Sequence, residues 1–152
     1  MTSKTRKFTA AAAKTAAVAA IAAGAVAVVA PAASAGETNG SCNKDGYAAS
    51  FSLVYHTSGS FDYPDKYTWA LSGSHIGNKN NVEGWVKSVA TGSTDDIYHH
   101  WKSNDNIHPN AEQAIPSNVK VKRSLSMYAS LHFTFDKPDA GDPTCTGRTK
   151  SV

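Results

Sequence analysis

Leu125-Ser126-Met127-Tyr128-Ala129-Ser130-Leu131-His132-Phe133-Thr134-Phe135 decides the fold. Every second residue is apolar and those between are mostly polar, the period of a half-buried strand. Tyr47, Ala49, Phe51, Leu53 and Tyr55 repeat the pattern, interleaved with Ala48, Ser50, Ser52, Val54 and His56. Weaker runs cover Tyr67–Ile76, Val82–Ala90, Ile97–Lys102 and Val119–Lys122. Gly, Asn, Asp, Ser and Pro separate them at Ser58–Ser60, Tyr63–Asp65, Gly77–Asn81, Thr91–Ser93 and Pro138–Pro143. Short strands spaced by turn residues predict an all-β chain, a small antiparallel β-sandwich of immunoglobulin-like type. Tyr67–Ala90 reads as one hairpin turning at Gly77–Asn81. The best helix candidate is a single turn at Asn110–Ile115, between Pro109 and Pro116.

Residues 1–35 read differently. A cationic start is followed by an Ala- and Val-rich run over Ala16–Ala30, then Pro31 and Ala33-Ser34-Ala35. This is the layout of a secretory signal cut after Ala35. The apolar run is short for a membrane span. The expected organisation is therefore a signal peptide at 1–35 and a single domain at 36–152. That domain would be secreted and extracellular, with no membrane insertion after cleavage. Gly36–Ser41 and Gly147–Val152 read as mobile ends.

The formal net charge of the chain is +3. Four of its fifteen Lys and Arg (Lys4, Arg6, Lys7, Lys14) lie in the leader, and all twelve Asp and Glu lie beyond it. The domain thus has near-zero net charge, which argues against bulk electrostatic binding to nucleic acid or anionic membrane. Lys120, Lys122 and Arg123 form a small basic knot, read as the solvated face of an edge strand.

Cys42 and Cys145 lie near the two ends of the domain. In a secreted chain they read as one structural disulfide. No Cys-x-x-Cys spacing, nucleophile elbow or phosphate loop is present. Of the six histidines, His99 and His100 are adjacent and would point to opposite faces of a strand. His56 and His132 would meet only on neighbouring strands. No catalytic residue, metal site or cofactor is assigned. Asp95-Asp96 reads as a turn leading into a strand.

The aromatics carry more information. Trp69 shares a phase with Tyr67 and Leu71 and reads as core. Trp85 shares its face with Glu83 and Lys87. Trp85, Tyr98, His99, His100, Trp101, Tyr128 and His132 stand as candidate binding residues, because exposed aromatics on a sheet serve protein and sugar recognition. The stretch Tyr98–Asn110 is the densest in aromatics, histidines and amides, and is the expected binding surface.

The Ala-rich signal, the polar lead Gly36–Ser41, the paired Cys42 and Cys145, the β-rich body and the missing catalytic motif are together similar to one known layout. It is that of the small secreted adaptor subunit of actinobacterial umbrella-toxin particles. The resemblance implies a non-catalytic adaptor in an extracellular protein assembly, partnered by another secreted protein. The residues also admit a carbohydrate-binding module with Trp85, Trp101 and Tyr128 as platform, or a small His-rich metalloprotein or hydrolase.

Overall fold

The computed structural model describes residues 34–89, 94–138 and 141–152. Most of the expected signal peptide and the expected turn at 91–93 lie outside the described residues.

Among the described residues nine strands form two antiparallel sheets, and there is no helix. The first sheet holds β1 (Ser34–Lys44), β2 (Tyr47–Ser58), β3 (Phe61–Ser72) and β6 (Asn110–Ala114) in that order, with β7 (Val121–Lys122) also paired to β3. The second runs β5 (Asp96–Lys102), β4 (Asn81–Ser88), β8 (Met127–Thr134), β9 (Thr144–Arg148).

The inward phases of β2, β3, β4 and β8 meet between the sheets. Leu53, Tyr67, Val86, Leu131 and Phe133 are fully buried. Phe51 packs on Phe133 at 5.4 Å between ring centroids, and Tyr47 on Phe135 at 5.6 Å. Each buried side chain of this size contributes about 1.5–3 kcal/mol. Trp69 belongs to this core, as its phase predicts.

The disulfide Cys42–Cys145 is formed and ties β1 to β9, one edge of each sheet. Lys150 N donates to Asn39 O at 3.1 Å, and Thr38 Oγ1 to Lys150 O at 2.7 Å. One side of the sandwich is thereby closed.

Four expectations are corrected. Gly36–Ser41 is the heart of β1 and not a mobile lead. Its register sets Gly36 against Tyr55 and Gly40 against Phe51. A Cβ at Gly40 would lie 2.6 Å from the Phe51 ring and 2.5 Å from Arg148 O, so only glycine lets this strand lie so close. Gly147–Val152 is also ordered: Arg148 ends β9, and Met127 and Val152 exchange backbone hydrogen bonds of 3.0 and 2.9 Å. Asn110–Ala114 is a strand and not a helical turn, because pairing with β3 outweighs the local helix preference of its Ala, Glu and Gln residues. Tyr67–Ala90 is no hairpin: β3 and β4 belong to different sheets, and Gly77–Asn81 crosses between them.

Candidate functional site

β5 is an edge strand, paired only with β4. Its alternation splits the predicted binding residues between two faces. His100 points outward and stacks on Trp85, with ring centroids 5.1 Å apart and planes 6° apart. His100 Nε2 lies 2.8 Å from Glu83 Oε1, and Lys87 Nζ lies 5.6 Å from the Trp85 ring. His132 stands opposite Glu83 on β8 and bonds Thr146 Oγ1 through Nδ1 at 2.7 Å. Trp85, His100 and His132 thus share the outer face of the second sheet, and Trp85 keeps its expected charged companions.

Tyr128 keeps the outer phase, opposite Lys87, but is covered there, whereas Tyr98, His99 and Trp101 leave that face. Tyr128 is buried: its hydroxyl donates to Asp95, and Arg148 lies 5.6 Å from its ring. Burial first, then the Asp95 carboxylate, pushes its pKa up to about 12. Tyr98 is the extra residue where the β4–β5 register shifts, and it packs against the core. His99 and Trp101 face inward. Trp101 stacks on Trp69 at 6.2 Å and 22°, and His99 on Tyr67 at 6.2 Å. The expected platform of Trp85, Trp101 and Tyr128 is therefore not assembled.

The Trp69–Trp101 pair forms the floor of a cleft on the side of the sandwich away from the disulfide. Here the chain crosses from β5 in one sheet to β6 in the other. Ser103 is held by Val82 through two hydrogen bonds: Ser103 N donates to Val82 O at 2.9 Å, and Val82 N to Ser103 Oγ at 2.8 Å. Ile107 N donates to Asn80 O at 3.0 Å. At the far end Leu71 N bonds Pro109 O at 2.7 Å, and the Trp69 indole N–H bonds His108 O at 3.2 Å.

The cleft encloses about 360 Å³. Lys102, Asn104, Asn106 and Gln113 line it, with Glu112 ion-paired to Lys66 at 2.7 Å. His108 completes the wall. Among the described residues, the side chains of Lys102, Asn104, Asn106 and His108 have no hydrogen-bond partner. They project as exposed donors and acceptors around an aromatic floor, an arrangement suited to holding a polar ligand in a fixed orientation. Much of the expected binding stretch thus lines one concave site. Trp69 and Gln113 join it from the opposite sheet, which sequence spacing does not reveal.

The histidines are dispersed. His56 and His132, expected to meet on neighbouring strands, lie in different sheets; His56 Nδ1 bonds Asp65 at 2.8 Å and its ring stacks on Tyr63. Among the described residues no cluster of three His, Cys, Asp or Glu is placed to hold a metal ion. Ser74 Oγ lies 2.9 Å from His75 Nδ1, but these are neighbours in an exposed turn, and among the described residues no carboxylate bonds the ring. Asp95 accepts a hydrogen bond from the Tyr128 hydroxyl.

His99 yields a pH prediction. Among the described residues its Nε2 is enclosed without a hydrogen-bond partner, as is the Tyr67 hydroxyl beneath it. Burial, and then the charge of His100, lowers the His99 pKa below 6.5. The unfolded chain then takes up the proton at a higher pH than the folded one. Stability is complete above about pH 6.5 and falls as pH drops below it, until His99 also protonates in the folded state. His99→Phe is expected to flatten this part of the profile in denaturant titrations between pH 7.5 and 5. An unchanged slope would assign the loss elsewhere.

Compared with known proteins, the chain matches no family model, no curated protein and no solved structure.

Proposed function

We propose that this protein is a secreted, non-catalytic binding or adaptor module that receives a partner protein in the cleft between β5 and β6. The observation that carries the reading is the set of exposed side chains at Lys102, Asn104, Asn106 and His108, without hydrogen-bond partners among the described residues, that line the cleft with the stacked indoles. Aromatic floors give contact area at low entropic cost, and a polar rim supplies orientation. The formed disulfide supports an oxidising destination. No helix among the described residues is long and apolar enough to cross a membrane.

Tagged protein recovered from culture supernatant is expected to bring down a stoichiometric secreted partner. Asn104→Ala/Asn106→Ala, both exposed, should reduce recovery at least ~10-fold, a loss of about 1.4 kcal/mol shared between two side chains at the centre of the site. Trp85→Ala, on the outer face, should leave it unchanged. Recovery of the protein alone, or equal capture by the double variant, would remove the reading. A carbohydrate reading rests on the same cleft, because an indole floor with amide donors also suits a neutral glycan. Retention on polysaccharide gels, lost in the same double variant, would favour it.

A further inference from the structure

A second pocket lies at the start of β3, eight positions before Trp69, roughly 25 Å at strand rise. β2 turns into β3 through Gly59, whose φ is 59°. β7 lies against the start of β3, with Phe61 paired to Lys122 and Asp62 to Val121. Arg123 N donates to Ser60 O at 3.0 Å. These contacts set Ser60, Phe61, Lys122, Arg123 and Ser124 around a pocket of about 310 Å³.

The charge at this pocket is uncompensated. Lys120, Lys122 and Arg123 are exposed, and among the described residues none of them forms an ion pair. The neighbouring carboxylate, Asp62, is buried and accepts a hydrogen bond from Thr57 Oγ1 at 2.7 Å. It occupies the opposite strand phase from Phe61 and Lys122. In a domain of near-zero net charge, three adjacent cations without carboxylates are a local exception. The hydroxyls of Ser60 and Ser124 also have no partner among the described residues. Lys120 Nζ lies 4.6 Å from the Phe61 ring centroid, a cation–π contact that keeps its ammonium beside the pocket.

We propose that this pocket binds a phosphate ester. Lys122 and Arg123 would hold the oxyanion, Arg123 through its fork of N–H donors. The Ser60 and Ser124 hydroxyls add neutral donors, and the half-buried Phe61 ring offers an apolar wall for the organic substituent. The volume is about ten times the ~30 Å³ share of one water, room for a substituent beyond the anion itself. The pocket shares no residue with the β5–β6 cleft, so either reading stands if the other fails.

The test is an amide-resolved NMR titration of the processed protein at low salt. The probes are glycerol 3-phosphate, inorganic phosphate, glycerol and a poly(glycerol phosphate) chain. Saturable shifts confined to Ser60, Phe61 and residues 122–124 are expected with glycerol 3-phosphate, and none with glycerol. Lys122→Ala/Arg123→Ala should weaken binding at least tenfold. Phe61→Ala should weaken the ester several-fold while leaving inorganic phosphate unchanged. Tighter binding of the polymer than of the monomer would place the ester on a surface polymer; equal binding would point to a free ester. Shifts that never saturate, that spread over all surface lysines, or that persist in the double variant would overturn the proposal.

Discussion

Asn80→Ala is expected to destabilise the domain by about 3 kcal/mol or more, lowering Tm by roughly 10 °C or more. Asn80 is fully buried and joins three segments distant in sequence. Its Nδ2 donates to Gly77 O at 2.7 Å and to Ile107 O at 2.9 Å, and its Oδ1 accepts from Asp136 N at 2.9 Å. Alanine would remove these three part-buried hydrogen bonds at once, each contributing about 0.5–1.5 kcal/mol and more where the partner is left unsatisfied. The same substitution releases the segment that walls the cleft, so amide exchange should rise at Ile107 and its neighbours before global unfolding. Asn81→Ala is the control: among the described residues its side chain bonds only Asp105, at 3.1 Å. A loss below 1 kcal/mol for Asn80→Ala would show that the crossover is held by other contacts.

Cys42→Ala/Cys145→Ala is expected to cost about 4 kcal/mol in denaturant titration, because the bridge closes a loop with a sequence separation of 103. Reduction of the wild-type protein should cost a similar amount. The loss should concentrate at the β1–β9 edge, where Asn39, Thr38 and Lys150 supply further hydrogen bonds between the two edges. Accelerated exchange in β1, with β8 still protected, is the expected signature. A cost under 1 kcal/mol would mean that these hydrogen bonds and the close packing at Gly40 hold the edge unaided.

The strands legible in the sequence are those with one buried face. β8 and β2 carry alternating large apolar residues, and their boundaries lie close to the expected ones. β1 gave no such signal because only Thr38 within it is buried; pairing with β2 and glycine contacts with aromatic rings hold it instead. Gly77–Asn81 has the composition of a hairpin turn, and turn residues alone do not distinguish a hairpin from a crossing between sheets. In the structure Asn80 is buried at this crossing and bonds Gly77, Ile107 and Asp136.

The candidate site was half legible. Composition located the stretch Tyr98–Asn110, and strand alternation separated His99 from His100. Phase alone places Trp101 outside the core, because His99 reads as polar and therefore outward; Tyr128 does keep its outward phase, opposite Lys87, where Arg148 covers its ring. In the structure His99 stacks on buried Tyr67, which carries Trp101 inward with it, and Asp95, 33 positions away, bonds the Tyr128 hydroxyl. Trp69 joins Trp101 only because β3 and β5 face each other across the two sheets, a placement set by the whole topology.

The most direct test of the cleft is site-specific photo-crosslinking in the secreting culture. A photoreactive phenylalanine analogue replaces Asn106 at the cleft or Ser50 on the outer face of β2. The cleft account expects a discrete higher-mass adduct from position 106, suppressed by Asn104→Ala, and none from position 50. An adduct from position 50 alone, or none from position 106 while the partner still co-purifies, would contradict it.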